Sequence, residues 1–290
     1  MPDQFQSLKK KTINCKGKLL DLTIPRVMAI LNITPDSFYD GSKYKDLESV
    51  RLQIEKFVSQ GADIIDVGGY SSRPGADDIE ESEEKRRLEP VLNLLAKNFP
   101  DVIVSLDTFR SEIAGWAIKD FGVAIINDIS AGEIDMKMAE TVCKFQVPYI
   151  MMHMKGTPAN MQKDPKYNNV IEEIIRYFSK KNEKFLQLGL HDIIIDPGFG
   201  FGKTIDHNYQ ILNYLNEFKI LELPIMVGLS RKSMIYKFLG FSANEALNGT
   251  SVLNTIALLK GANILRVHDV QEARECILLA NKCLASNYSG

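Results

Sequence analysis

Short apolar runs alternate with longer amphipathic stretches along the chain. Eight of these runs are rich in Ile and Val and are apolar at successive positions, which is typical of parallel strands buried on both faces. They cover residues 27–33, 63–69, 102–109, 123–130, 149–154, 192–198, 224–230 and 263–270. The pattern therefore predicts eight buried parallel strands.

Stretches with apolar residues at helical spacing separate these strands. In the first of them Leu47, Val50, Ile54 and Phe57 recur every three or four positions, and a glycine follows that can end the helix. Further helices are predicted within residues 83–99, 111–122, 135–145, 167–189, 206–218, 243–261 and 271–284. Pro90 predicts a kink or a break in the second helix.

The alternation of strands and helices favours an α/β fold, a single (β/α)8 TIM barrel, because no linker rich in Gly, Ser or Pro interrupts the eight units. An open, doubly wound sheet is the alternative. We predict that residues 27–286 form the barrel. Residues 1–26 are predicted to form a short N-terminal hairpin extension that closes the barrel bottom.

Composition and charge exclude several classes of protein. The chain is 45% hydrophobic and 25% charged, and 35 Lys and Arg nearly balance 37 Asp and Glu. No global basic field therefore recruits nucleic acid or a membrane surface, and an anionic ligand must be held by locally placed cations. The four cysteines form no CxxC pair, and the first residues lack an apolar signal segment, so we expect a cytoplasmic protein.

Polar side chains stand where nearly every predicted strand ends. In a TIM barrel these ends meet at one face, where catalytic groups lie. A purely structural barrel does not need polar groups there. The residues are Asn32, Asp107, Asn127, Asp128, His153, Asp196, Ser230, Arg231, Lys232, Ser233, Arg266 and His268. Taken singly, Asp196 could be a helix N-cap and His268 a core histidine.

The segment DPGFGFGKT, residues 196–204, raises the question of a nucleotide-binding P-loop. It supplies the final Gly202, Lys203 and Thr204 of that pattern, but Pro197 stands where the first glycine belongs. Proline fixes φ and removes an N–H there, so a nucleotide site is disfavoured. We expect instead that the glycines let the backbone leave the strand sharply beneath a flat ring. The role of Lys203 stays open.

The segments LNITPDSFYDGS, DVGGYSSRPGA, SLDTF, INDIS, MMHMKGTP, DPGFGFGK, GLSRKSMI and RVHDV resemble the successive signatures of the dihydropteroate synthase family. They occur in that family's order across roughly residues 27–270. The resemblance implies a transferase of folate biosynthesis that condenses 6-hydroxymethyl-7,8-dihydropterin diphosphate with 4-aminobenzoate and releases diphosphate. It also implies a TIM barrel, a homodimer, Mg²⁺ as cofactor and a target of sulfonamides.

The resemblance further implies where the pterin and the diphosphate bind. A pterin presents adjacent donors that a carboxylate can accept in bidentate fashion. The pterin-binding residues would be Met152, Asp107, Asn127, Asp196 and Lys232, and the diphosphate-binding residues Asn32, Ser72, Arg73, Arg266 and His268. Asn32 would also contact the metal. The catalytic residues would be Asp40, Asp107, Lys232, Arg266 and His268.

By the same resemblance the aminobenzoate would be bound by Phe38, Arg73, Pro74, Phe201 and Ser233. Ser233 could receive its carboxylate at a helix N-terminus. The loops after the first two strands would close over the site. Two departures stand in the second loop, where Tyr70 replaces the usual Glu and Ser72 the usual Thr; the first puts a carboxylate role there in doubt.

Two other functions are compatible with these motifs. A pterin-dependent methyltransferase would share the pterin pocket but would not need the SRKS and RVH anion-binding segments. A catalytically silent pterin-binding barrel would be free to lose the cations that act on the leaving group, and Lys232 and Arg266 argue against it. His153 is compatible with a general base, although we favour a structural role because a neutral arylamine needs no strong base.

Overall fold

The structure is a computed structural model that describes residues 12–33, 43–71, 78–157, 161 and 165–286. Ten strands occur in these ranges. They are β1 (Thr12–Cys15), β2 (Lys18–Asp21), β3 (Arg26–Asn32), β4 (Ile64–Gly68), β5 (Ile103–Asp107), β6 (Ile125–Asp128), β7 (Tyr149–Met152), β8 (Ile193–Asp196), β9 (Met226–Val227) and β10 (Ile264–Val267).

Strands β3 to β10 form one parallel barrel. Each strand pairs with the next along the chain from β3 to β8, and β10 pairs with both β9 and β3. A parallel bridge between Ile195 and Ile225 brings β8 back beside the segment that leads into β9, so the ring closes. The predicted (β/α)8 barrel is confirmed, and the open doubly wound sheet is excluded.

Helices follow the strands around the outside of the barrel. They are α1 (Lys43–Ser59), α2 (Glu81–Asn98), α3 (Ser111–Phe121), α4 (Met138–Phe145), α5 (Val170–Gln187), α6 (Ile205–Asn213), α7 (Ser233–Leu239), α8 (Leu247–Leu259) and α9 (Val270–Ala285), with 3₁₀ turns at Leu215–Leu221 and Ala243–Glu245. Within the described ranges, no helix has the length and apolar character needed to cross a membrane.

Of the kink or break predicted at Pro90, the break does not occur. Helix α2 continues for two turns beyond this proline. Pro90 lies on the exposed face of the helix, where water can bond the carbonyl that loses its donor. The helix therefore keeps its inner face, on which Leu88, Val91, Leu92 and Leu95 are buried.

Side chains that point outward from the strands form the main core with the helices. Ile65 and Val67 of β4, for example, share one buried cluster with Leu88 and Leu92 of α2. Alternate strand residues point into the barrel instead, since successive strand side chains face opposite sides. Their lowest layer is apolar and includes Met28, Ile64, Ile125, Ile150, Ile194, Met226 and Ile264.

The N-terminal hairpin packs against this lowest layer. Strands β1 and β2 pair antiparallel, and Ile13, Cys15 and Leu20 are buried in the same cluster as the inward residues of the barrel strands. This contact keeps water out of the amino-terminal end of the barrel. Polar inward side chains are thereby left to the opposite end. A domain boundary at residue 26 stays a prediction.

Candidate active site

The carboxyl-terminal rim of the barrel carries a row of residues in register. Asn32, Gly68, Asp107 and Asn127 are successive partners across β3, β4, β5 and β6. Gly68 lacks a side chain, and a Cβ there would lie 3.4 Å from Asn32 Oδ1 and 3.5 Å from Asp107 Cβ. The asparagine and the aspartate therefore approach each other over the glycine.

Arg266 of β10 reaches across the barrel and joins two carboxylates. Its Nε donates to Asp66 Oδ2 and its Nη2 donates to Asp107 Oδ2, each at 2.6 Å. Asn127 Nδ2 donates to the same oxygen of Asp66 at 3.0 Å. We call these four side chains the rim cluster. Charge-assisted bonds of this kind fix the guanidinium plane in one orientation.

Asp66 is the member of the rim cluster that the sequence analysis missed. It is fully buried, and within the described part of the chain its Oδ1 has no hydrogen-bond partner. It points into the barrel one layer below the strand end, between the inward positions of Ile64 and Gly68. The signal that could have revealed it is a carboxylate in the middle of an otherwise apolar buried strand, which needs a partner.

The contact with Asp66 also determines the orientation of the Asn127 amide. An ionised carboxylate can only accept hydrogen bonds, so the NH₂ group of Asn127 must face it. The amide oxygen is then directed elsewhere and is available as an acceptor. Asp107, Asn127 and Asp196 together give the rim three acceptor groups.

Burial changes the pKa values of the aspartates at the rim. It raises the pKa of Asp107 to about 7, although Arg266 acts in the opposite direction, and the charge on Asp66 raises it further. Burial also raises the pKa of Asp196, with Lys232 and the backbone N–H of Gly198 opposing it. A donor-rich ligand would stabilise both carboxylates in their ionised form.

Lys232 approaches Asp196 from the segment between β9 and α7. Its Nζ donates to the carbonyl of Phe199 and lies 5.0 Å from the centre of the Phe201 ring. Burial lowers the pKa of Lys232 to about 8, and the charge of Asp196 opposes this shift. Lys232 is therefore a cation near its titration point, held beside a carboxylate at the rim.

Phe201 and Met152 also lie together. They belong to one apolar cluster with Ile129, Met154 and Met161, which forms a patch beside Lys232. Asp196 Oδ1 accepts a bond from Gly198 N at 2.8 Å and so fixes the turn that leaves β8. Asp196 is not a helix N-cap, because the N-cap of α6 is Thr204.

His268 and Ser233 lie at the segment that carries Lys232. His268 Nδ1 lies 3.0 Å from Ser230 Oγ, at the start of the segment that carries Lys232. Arg231, which precedes Lys232, donates from Nε and Nη2 to the two carboxylate oxygens of Asp269, each at 2.9 Å. Ser233 is the first residue of α7. These bonds hold the end of β10 beside the Lys232 segment.

Five predicted site residues lie outside the described residues: Phe38, Asp40, Ser72, Arg73 and Pro74. Their roles stay predictions. Tyr70, one of the two departures in the second loop, is described. Its ring packs edge-on against Phe109 at 5.1 Å and lies 5.4 Å from the Arg110 guanidinium.

The P-loop interpretation is excluded by the position of Lys203. This side chain is only 3% exposed, and its Nζ donates to protein acceptors rather than facing the rim. Gly198, Gly200 and Gly202 all have positive φ, so the loop turns in a way that other residues rarely adopt.

Comparison with known proteins gives one consistent family. The family model for pterin binding enzymes matches residues 28–268. Dihydropteroate synthase of Haemophilus influenzae is 42% identical over 256 residues, which cover 88% of this chain and 92% of that one. The crystal structure of Yersinia pestis dihydropteroate synthase with a sulfonamide drug complex has a TM-score of 0.88 and 38% identity, covering 95% of this chain and all of that one.

A third relative was solved with 4-aminobenzoic acid. Xanthomonas albilineans dihydropteroate synthase with 4-aminobenzoic acid has a TM-score of 0.88 and 33% identity, covering 96% of this chain and all of that one. The similarity therefore extends over the whole barrel.

Proposed function

The chain belongs to the dihydropteroate synthases of the pterin-binding enzyme family, and from this membership we propose how its rim residues carry out the reaction. The reaction is the condensation of 6-hydroxymethyl-7,8-dihydropterin diphosphate with 4-aminobenzoate in folate biosynthesis. The observation that carries the proposal is the convergence of Asp107, Asn127 and Arg266 in one hydrogen-bonded cluster, with Asp196 and Lys232 beside it.

The pterin is bound by the acceptors of the rim. Its amino-pyrimidine edge offers N–H donors, and Asp107, Asn127 Oδ1 and Asp196 accept them. Lys232 donates to an acceptor of the ring, and Met152 packs against its face. A ligand lacking these donors would leave buried carboxylates without partners, which makes the pocket selective as well as tight.

The diphosphate departs toward the cations of the rim. Arg266, His268 and Asn32 lie at strand ends on this face, and Ser72 and Arg73 are proposed to join them from the second loop. Arg266 enters this role already oriented by two carboxylates. Preorganised donors of this kind stabilise charge that develops in the transition state without reorganising.

Mg²⁺ fits this site as an ion held largely by the substrate. Asn32 offers one amide oxygen, and the described residues contain no group of three His, Cys, Asp or Glu side chains that could hold a metal alone. Mg²⁺ commonly binds through few protein oxygens together with substrate phosphates and waters. We propose that Asn32 holds it. When bound, the ion would neutralise charge on the diphosphate.

Bond formation needs positioning more than acid–base catalysis. The arylamine is neutral near pH 7 and can attack the exocyclic methylene as the bond to diphosphate breaks, while Asp107 and Asp40 stabilise positive charge that develops on the pterin. The aminobenzoate packs against Phe201, and Phe38, Arg73, Pro74 and Ser233 complete its site. No side chain is required to remove a proton before attack, and the ammonium that forms on the amine then loses one proton to water or to the departing diphosphate.

Release of diphosphate tests this function against its alternatives. We expect the purified protein to release diphosphate from the pterin substrate only when 4-aminobenzoate is present, and to form dihydropteroate in equal amount. A methyltransferase would bind the pterin without releasing diphosphate under either condition. A silent barrel would show binding in calorimetry and no product at all.

We predict a bell-shaped pH dependence for pterin affinity. Asp107, with a pKa raised to about 7, must be ionised to accept pterin donors, so affinity falls as pH drops below that value. Lys232, with a pKa lowered to about 8, must be charged, so affinity falls again above that value. Each limb should approach about tenfold per pH unit. Calorimetry with 6-hydroxymethyl-7,8-dihydropterin, which carries no phosphate, measures the profile.

Two variants assign the limbs of that profile. Asp107→Asn should abolish the acidic limb, and Lys232→Arg should move the alkaline limb beyond pH 10. An affinity that stays flat between pH 6 and pH 9 in the unmodified protein would contradict both assignments.

We propose a cytoplasmic homodimer that uses the outer face of α7, α8 and α9. Phe238, Val252, Leu278 and Leu279 on these neighbouring helices are between 49% and 68% exposed, which is a large apolar area for one face. We predict that Leu278→Arg combined with Leu279→Arg shifts a dimer to monomer in sedimentation velocity. Met136→Arg, at an exposed position beside the opposite strand β6, is the control and should leave the dimer intact.

A further inference from the structure

Lys203 is a buried lysine that the proposed reaction does not use. Its Nζ lies 3.0 Å from His153 Nδ1 and donates to the His153 carbonyl at 3.1 Å and to the Phe201 carbonyl at 3.0 Å. These three contacts use the hydrogen-bonding capacity of the amino group in either protonation state, with two N–H bonds to the carbonyls and one contact with the ring nitrogen. Burial holds the pKa of Lys203 well below its usual range, and the charge of Asp196 opposes this shift.

Burial and Lys203 both act on the charge of His153. With Lys203 donating to Nδ1, the proton of the neutral ring is on Nε2. Burial lowers the pKa of His153 to about 2, and the charge on Lys203 lowers it further. The ring also packs edge-on against Tyr177 at 4.9 Å. Burial and the neighbouring lysine therefore both favour the neutral form of the His153 ring.

The two partners of Lys203 belong to different strand ends. His153 follows β7, whereas Phe201 lies in the glycine-rich loop, residues 197–203, that follows β8. The two segments are in close contact, because a Cβ at Gly198 would overlap the His153 carbonyl and a Cβ at Gly202 would overlap the Lys155 backbone. Lys203 thus bonds the glycine-rich loop to the end of β7, on the opposite side of the loop from Lys232.

The other side of the same loop holds Lys232. The Phe199 carbonyl accepts from Lys232 Nζ, and the Phe201 ring lies 5.0 Å beneath that nitrogen. An aromatic face and a carbonyl both attract a cation. The two groups therefore fix the position of the Lys232 amino group and favour its charged form. Movement of the loop would therefore move the groups that place Lys232.

We propose that Lys203 and His153 form a positioning pair that fixes the glycine-rich loop and, through Phe199 and Phe201, sets the position of Lys232 at the rim. The role of Lys232 in turnover rests on the proposed function, but its placement does not. Lys203, the lysine of the GKT segment, is buried and contacts protein atoms, and it therefore does not bind phosphate. Both residues are positioning residues, since both are buried and the three contacts of Lys203 Nζ are with protein atoms.

Lys203→Met tests the pair by keeping the length of the side chain and removing its amino group. We expect kcat to fall about tenfold to a hundredfold, since displaced positioning groups cost rates on this scale. We also expect the pKa of Lys232 to rise by about one unit, because burial is the main cause of its lowering and a released loop admits water. NMR titration of the lysine Cε signals measures that pKa without turnover.

His153 variants test the same pair from its other partner. His153→Asn places an amide oxygen near the position of Nδ1, so we expect it to keep the unmodified Lys232 pKa and most of the activity. His153→Leu removes the acceptor and should reproduce both effects of Lys203→Met. The double variant should be no worse than Lys203→Met alone, since contacting residues that act as one unit are not additive. Exposed Lys184→Met is the control for loss of one charge and should change neither quantity.

The outcomes separate this proposal from the proposed function. A folded Lys203→Met with unmodified kcat and Lys232 pKa overturns the positioning pair, and so does a His153→Leu that behaves as His153→Asn does. If Lys203→Met fails to fold, the two His153 variants still decide. Absence of diphosphate release in the unmodified protein would overturn the proposed function, while the Lys232 titration would still test the pair.

Discussion

An Arg266→Leu variant is expected to lose about 3–5 kcal/mol of unfolding free energy and at least a thousandfold in kcat/KM. The arginine joins Asp66 and Asp107 at 2.6 Å each, and its side chain is only 19% exposed. Removing one partner of a buried ion pair leaves the other charge uncompensated, and here two carboxylates are left. The loss of rate follows because the diphosphate loses a preoriented guanidinium.

The loss of stability should depend on pH. Arg266 lowers the pKa of Asp107, so its removal raises that pKa above its present value of about 7. A carboxyl whose folded pKa exceeds its unfolded pKa binds more protons in the folded state, and folding then weakens as pH rises. The deficit of Arg266→Leu should therefore be smaller at pH 5.5 than at pH 8.

Denaturant unfolding at these two pH values measures the prediction. Arg266→Lys keeps the charge but cannot bridge both carboxylates, and it should recover part of the stability and little of the rate. The double variant Arg266→Leu with Asp66→Leu should be more stable than Arg266→Leu alone, since one uncompensated charge is gone. If the unfolding free energy of Arg266→Leu alone lies within about 1 kcal/mol of that of the unmodified protein at pH 8, Arg266 does not pair with Asp66 and Asp107.

The fold could be predicted because each barrel strand is an apolar run that has few alternatives. A strand covered on both faces needs Ile or Val at successive positions, as in residues 193–195, and eight such runs separated by helices specify a barrel. Helix α2 shows the limit of local signals. Proline propensity predicted a break there, but the apolar face around Leu88 and Leu92 kept the helix continuous.

The acceptors of the rim could also be predicted, because Asp107, Asn127 and Asp196 stand at strand ends. Asp66 could be suspected only as a carboxylate in an apolar strand, and its partner could not be predicted, since Arg266 lies 200 residues away in the chain. The buried position of Lys203 could not be predicted either. A lysine after glycines is typical of an exposed phosphate-binding loop, and only the close packing of residues 198–202 against the end of β7 turns it inward.

We expect Asp196→Ala to weaken binding of 6-hydroxymethyl-7,8-dihydropterin by more than about 2 kcal/mol. The carboxylate is 5% exposed and stands beside Lys232 at the rim. Without it, pterin donors enter a buried pocket without a partner, and an unsatisfied buried donor costs about 1–3 kcal/mol. Two adjacent donors on one ligand edge place the expected loss in the upper part of that range.

Asp196→Asn separates recognition from the shape of the turn. An asparagine oxygen can still accept from Gly198 N, so the turn after β8 should persist, but its NH₂ group would meet a pterin donor instead of accepting from it. We therefore expect Asp196→Asn to fold with unmodified stability and to bind the pterin as weakly as Asp196→Ala. Calorimetry near pH 7.5 keeps Asp107 mostly ionised and Lys232 mostly charged while the comparison is made. Near-normal affinity in both variants would remove Asp196 from the pterin pocket and leave it only the turn.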